Sequence, residues 1–288
     1  RVFLIKILLI FSVTLILELV FSEGVWAWGP AIHMAVSCRI LEDLATMVSP
    51  IAGIIRAFPL EYMYGSLSAD FFVGKGQKRK EGHSHNWETA HRLLGEAKDE
   101  QEGAYAYGFF SHLAADVIAH NYFIPNLVHQ VSTWKRMGHL YWEAKADYFF
   151  APAYMRIARD VLSAEQLGCD DLLKSAVGKG RNGLRAKRQL FTQTVKLSDF
   201  LCGSQSVSLV NRGSRYQISP EYLSSMVGLS YRLVSDLLIH PASSPCLSYD
   251  PIGSKNLKLA SQNAIISRLF DIPRPSYLFR VDQELLEV

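Results

Sequence analysis

Cysteine is scarce in this chain. Cys38, Cys169, Cys202 and Cys246 are the four present, and their wide spacing excludes a CxxC zinc or redox motif. An excess of either charge is also missing. A net +3 over 288 residues gives no electrostatic ground for nucleic-acid binding, so partners must be read from local sites. Alternating apolar and polar runs with hairpin signals are absent, which argues against a sheet protein. No internal repeat appears, and no Pro/Ser-rich linker divides the chain after residue 27. Charged residues reach only 20% against 49% apolar, a composition that excludes a disordered chain and can fill a sizeable core.

One long apolar run is present, near the start. Ile7 to Phe21 is broken only by Ser12, Thr14 and Glu18; it follows the basic Arg1 and Lys6 and precedes Val25-Trp26-Ala27. A basic start, an apolar stretch short of the about 20 residues of a membrane span, and small residues flanking Trp26 make a secretory signal peptide. The expectation is a leader at 1–27 and a single domain at 28–288, exported to a periplasmic or extracellular compartment. The alternative is an uncleaved N-terminal membrane anchor. Cleavage removes Arg1, Lys6, Glu18 and Glu23, two of each sign, and leaves the net charge unchanged. An oxidising compartment permits a disulfide, but the spacing selects no pair. Cys38, inside an apolar helical pattern, reads as a buried small hydrophobe.

The rest reads as helix after helix, an all-α chain. Ile32, Val36, Ile40, Leu44 and Met47 recur at helical spacing, and Pro50 closes that segment. Asn86 is placed to cap a helix running to about Lys98. Gly103 to His120 is long, apolar and lacks a polar face of normal width, which predicts a helix in the middle of a bundle. His139 to Leu162 is helical with a break or bend near Pro152, and Leu184–Leu201, Tyr222–Ile239 and, more weakly, Leu257–Phe270 follow. The basic stretches Lys75–Lys80 and Lys174–Arg188 read as solvated loops or faces. Their alternative role is attraction of an anionic surface or phosphate substrate.

The chemistry lies in the histidines. His112-Leu-Ala-Ala-Asp116 places an imidazole and a carboxylate on one helix face about 6 Å apart, a spacing that suits two ligands of one metal. His139-Leu-Tyr-Trp-Glu143 repeats the device on another helix. Such pairs are also ordinary helical neighbours, so the surroundings decide. Asp116 lies among Phe109, Phe110, Leu113, Val117 and Ile118, where an ionised carboxylate costs several kcal/mol unless a cation or strong donors satisfy it. His120 is about 12 Å along the axis from His112, too far for one ideal zinc shell, and implies a second metal or a helix-end histidine. Asp70 stands in apolar company before Phe71 and Phe72, and His83 and His85 flank Ser84 in a polar loop. A set rich in N and O donors without thiolates fits hydrolytic metals better than structural zinc.

These motifs fall in a familiar order. Trp28-Gly-Pro-Ala-Ile-His33 resembles the mature start of the single-strand-specific zinc nucleases, Trp-Gly-x-x-x-His. The series Ser-Ala-Asp70, Ser-His85, Ser-His112-x-x-x-Asp116, His120-Asn and His139-x-x-x-Glu143 resembles the bacterial zinc-dependent phospholipases C of the same superfamily. Glu143 stands where the nucleases usually carry Asp. The resemblance spans Trp28 to Asp147 and implies a multi-helix bundle with three zincs. It implies one zinc on Asp70, His85, His112 and Asp116, a second on His120, His139 and Glu143, and a third on Trp28, His33 and the other oxygen of Asp116. Trp28 takes part in that scheme through its free amino group and carbonyl. The implied chemistry is in-line attack on phosphorus by a metal-held hydroxide, with Asp116 bridging and Asp70 as a ligand that has also been considered a base.

The pattern departs from the family at several points. His120 follows Asp116 by four positions where the family has six and a proline, which leaves His129 as an alternative; Asn121 after His120 favours His120. His83 is the alternative to His85. The choline-recognising residues of the phospholipases are not evident apart from Phe71, so phosphatidylcholine selectivity is expected to be weak. His91 and His240 read as ordinary histidines. The sequence thus predicts an exported zinc hydrolase of phosphate esters, a phospholipid or other phosphodiester being the substrate, with transient membrane-surface contact and no specific nucleic acid. The alternatives are a single-strand nuclease or nucleotidase, and a non-catalytic, membrane-anchored zinc-binding protein.

Overall fold

The computed structural model describes residues 28–72, 83–130, 137–165, 167–177, 183–202, 218–270 and 277–288. Within these, the side chains of residues 130, 137–141, 143–144, 150–152, 167, 201–202 and 268 lie outside the description. The leader expected at 1–27, the basic loop Lys75–Lys80 and the side chains of His139 and Glu143 therefore fall outside the described residues.

Every regular element described is helical. In chain order they are α1 (Pro30–Asp43), α2 (Pro50–Ala57), α3 (Pro59–Ser68), α4 (Trp87–Glu96), α5 (Glu100–Ile118) and α6 (Ile124–Gln130). There follow α7 (Met137–Ser163), α8 (Leu167–Val177), α9 (Leu184–Cys202), α10 (Pro220–Ile239), α11 (Ser254–Leu269) and the short α12 (Gln283–Leu286). A 3-10 turn, Ala69–Phe72, extends α3, and a π-helical turn, Ala119–Phe123, joins α5 to α6. Among the described residues no helix is long and apolar enough to cross a membrane.

Local chemistry sets most of the boundaries. Proline at the first position, where its missing N–H is no loss, opens α1, α2, α3 and α10. Ser49 and Ser219 cap α2 and α10 with their hydroxyls. At the start of α5 the Asp99 carboxylate accepts from Glu102 N at 2.8 Å, while Glu102 Oε2 accepts from Lys98 N at 2.8 Å. That reciprocal pair anchors the helix predicted to be central. It is central: from Gly103 to Ile118 all but Tyr107 are buried, between α3 on one side and α10 on another.

Two readings from periodicity need correction. Pro152 does not break the helix, since α7 runs from Met137 to Ser163. Cys38 is only partly buried. The stretch Lys174–Arg188 is not all solvated either. Arg188 pairs with the buried Asp170 at 2.6 Å and lies over the Tyr64 ring at 5.3 Å, tying α8 and α9 to α3.

Candidate metal centre

Two helices and three turns converge on Asp116. The α1 helix brings His33, whose Nε2 lies 3.3 Å from Asp116 Oδ1. The other oxygen, Oδ2, faces His112 Nε2 at 3.2 Å, His85 Nε2 at 3.5 Å and His120 Nε2 at 3.7 Å. Asp70, from the 3-10 turn, reaches the same group: its Oδ1 is 3.3 Å from His85 Nε2 and 3.7 Å from His112 Nε2. All six side chains are buried, His112 and His120 completely. Burial alone would raise the Asp116 carboxyl, but the His112 and His33 imidazoles outweigh it and hold the group well below the usual carboxylate range.

The second set of contacts decides which atoms are presented. His112 Nδ1 lies 2.8 Å from the Ser66 carbonyl oxygen, an acceptor only, so Nδ1 carries the proton and Nε2 offers a lone pair inward. His85 Nδ1 is 3.1 Å from Ser84 Oγ, and its Nε2 is 3.1 Å from His112 Nε2. A lone pair of His112 thus confronts both another ring nitrogen and a carboxylate. That arrangement is repulsive unless a proton or a cation lies among the three atoms. Asp70 Oδ2 is buried and accepts no hydrogen bond. Two overlapping groups, His33–Asp70–His112 and His85–His112–Asp116, each bring their donor atoms within 4.8 Å of one another, the reach of one bound cation. The donor set, imidazole plus carboxylate without sulfur, suits zinc.

A scan against protein-family models matches residues 32–178, just over half of the chain, to the family described as zinc dependent phospholipase C. The chain belongs to that family. It is therefore an all-helical member of a hydrolase family, with buried His/Asp groups suited to metal. No curated protein and no solved structure gives a match.

The structure brings together His33, Asp70, His85, His112, Asp116 and His120, six of the nine positions singled out from the zinc-dependent phospholipase C pattern. His139 and Glu143 are helical in backbone, on α7, with side chains outside the description. Trp28 is fully buried; its indole Nε1 donates to Ser230 Oγ at 3.0 Å and its ring packs on Phe123 at 4.6 Å. His83 lies beside His85, and its Nδ1 accepts from His85 N at 3.1 Å. His129 is buried on α6, beyond the π turn. His91 is exposed against Phe110, and His240 is exposed at the end of α10. Phe71 does not serve a headgroup. It is a core residue, 5.6 Å from the Tyr64 ring and 5.4 Å from Phe191.

The π turn accounts for His120. One extra residue in the turn re-aims a side chain, a device common at functional sites. The widened turn is clasped by α5, by the turn before α11 and by α11 itself: Asn121 Nδ2 donates to Val117 O and Asp250 O, both at 2.9 Å, and Asn256 Nδ2 donates to Asn121 O at 2.8 Å. Gly253, left-handed at φ +61°, lies so close that a Cβ there would be 2.2 Å from the His120 carbonyl oxygen. Gly253→Ala meets both a strained backbone and a backbone clash. Its expected outcome is a 10–100-fold weaker hold on zinc, the usual scale for disturbing a group that orients a ligand. Competition with a chelator measures it, and wild-type affinity in that variant would show that the clasp does not set His120.

Proposed function

We propose that this protein is an exported, zinc-dependent phosphodiesterase of the phospholipase C type. The observation that carries the reading is the buried Asp116 carboxylate with an imidazole on each side, one of which is locked by Ser66 to present a bare Nε2. Three zincs are proposed, held as the family pattern implies. Asp70, His85, His112 and Asp116 take one, His120, His139 and Glu143 the second, and Trp28 with His33 and Asp116 the third. Bound zinc supplies a water-derived nucleophile at neutral pH and offsets charge on phosphoryl oxygens.

The protein's own residues prepare that chemistry. Ser66 fixes the His112 tautomer and Ser84 faces His85 Nδ1, so the inward nitrogens of both rings are directed at Asp70 and Asp116. Asp116, held below the usual carboxylate range by the rings beside it, favours the charged form that would be needed to hold cations. Asp70, also buried, is a ligand whose position permits a role in handling the proton of the nucleophile. Cleavage after Ala27 frees the amine of Trp28, so the export reading and the third zinc stand together. With Phe71 in the core, nothing described selects a choline headgroup.

The test compares phosphatidylcholine, an anionic phospholipid, a nitrophenyl phosphodiester and single-stranded DNA as substrates, each with and without chelator. Release of a phosphorylated headgroup from lipid, abolished by chelator and restored by zinc, is expected. Turnover of DNA alone would move the chain to the nuclease branch, and no turnover with full zinc loading would leave a binding protein.

A further inference from the structure

One buried carboxylate has no part in the ligand set. Asp147 lies on α7, and its two oxygens accept from the first turn of α1: Ala31 N at 3.2 Å and Ile32 N at 3.2 Å. A helix leaves its first N–H groups without internal partners. In α1 Asp147 completes the accounting. Pro30 has no N–H, Ala31 donates to the carboxylate, Ile32 N is shared between the carboxylate and Gly29 O at 3.1 Å, and His33 N donates to Gly29 O at 3.2 Å. The N-cap residue Gly29 provides no side-chain cap of its own. Asp147 also fills the space beside it, since a Cβ on Gly29 would lie 2.2 Å from Asp147 Oδ2. A carboxylate at that position further meets the positive end of the helix. Burial pushes its carboxyl up to about 7, with Asp70 acting in the same direction, against the two backbone donors.

The place of Asp147 gives the contact a consequence. It sits four residues after Glu143 and eight after His139 on the same unbroken helix, within about 80° of both in helical register. Its contacts lie one and two residues before His33. One side chain therefore joins the helix that carries the first histidine to the helix that carries the last two proposed ligands. We infer that Asp147 is a positioning residue of the metal centre: a cap supplied from α7 that sets the first turn of α1, and so His33, against the His139–Glu143 segment, with Gly29 as its seat. The inference rests on the zinc reading above.

The test uses the full exported chain, with zinc content after dialysis and zinc affinity by chelator competition as readouts, beside the melting temperature of the metal-stripped protein. Asp147→Asn keeps the volume but turns one acceptor into a donor facing a backbone N–H. It is expected to weaken zinc binding by 10–100-fold, the scale for outer groups that orient ligands. Gly29→Ala should do the same by displacing the carboxylate. The double variant Gly29→Ala with Asp147→Ala separates filling from capping, because the added methyl takes the vacated space. It is expected to regain the metal-free melting temperature lost in Gly29→Ala while remaining weak in zinc. Wild-type zinc affinity in Asp147→Asn or in the double variant would overturn the positioning role. Absence of zinc from the wild-type chain itself would instead overturn the reading on which it rests.

Discussion

Asp116→Asn is expected to release two of the proposed zincs together and to lower kcat/KM by at least ~10³-fold, beyond the usual loss for one electrostatic donor. Both oxygens of Asp116 are committed, Oδ1 toward His33 at 3.3 Å and Oδ2 toward His112, His85 and His120 at 3.2, 3.5 and 3.7 Å. An amide keeps one oxygen and turns an N–H₂ toward the other side. It also removes a negative charge from a site with 1% exposure, where solvent cannot replace it. A shared anion between cations has no neutral substitute, so the loss should be paired and not stepwise. His91→Ala is the control, because that ring is exposed on Phe110 and away from the cluster. Elemental analysis after dialysis counts the metal. Full zinc content in Asp116→Asn would remove the bridge from the mechanism.

The candidate site was legible wherever the signal was a spacing or an unlikely neighbour. His112 and Asp116 stand one helical turn apart amid aromatic and aliphatic residues, and in that company a charged group demands a partner. Asp70 was legible for the same reason, as a carboxylate among apolar residues, whereas His85, in a polar loop, was singled out only by its Ser-His context in the family pattern. What stayed hidden was held by contacts between distant segments. The π turn at His120 has one local hint, since Pro125 lacks the N–H that Asn121 O would take in a regular helix; that donor comes instead from Asn256, more than 130 residues later. Asp147 had a usable signal, the third acidic or imidazole position in register after His139 and Glu143, but its partner is a helix N-terminus and such a partner leaves no side-chain pattern. Phe71 was misread because its neighbour Asp70 is a proposed ligand. Adjacent residues point to different sides, and Phe71 turns to Phe191 while Asp70 turns to His85. Helices α2, α3 and α8 are short or begin at proline, too brief for periodicity to speak.

Gly108→Ala is expected to destabilise the protein by roughly 3 kcal/mol or more, the upper end of overpacking. A fall of roughly 6–12 °C in Tm corresponds to it. Helices α3 and α5 cross almost backbone to backbone. A Cβ on Gly108 would stand 1.9 Å from the Tyr62 carbonyl oxygen, and a Cβ on Gly65 would stand 2.0 Å from the Tyr105 carbonyl oxygen. Neither obstacle is a side chain that can rotate away, so the helices must separate. Separation also breaks Tyr62 Oη to Ser111 Oγ at 3.0 Å and Tyr105 Oη to Ser68 Oγ at 2.8 Å, which bridge the same crossing. The metal centre is tied to this contact. Ser66 follows Gly65 and accepts from His112, which lies one turn after Gly108, while Asp70 follows at the end of α3. Zinc affinity should therefore fall with stability in Gly108→Ala and in Gly65→Ala. Gly53→Ala and Gly228→Ala provide the contrast, since a Cβ at either meets nothing within 4 Å. Both lie inside helices, where Ala is favoured over Gly by up to about 1 kcal/mol, and both should raise Tm slightly. Thermal melts of the four variants, with and without zinc, decide the matter. A Gly108→Ala protein melting with wild type would show that the crossing has room the structure does not display.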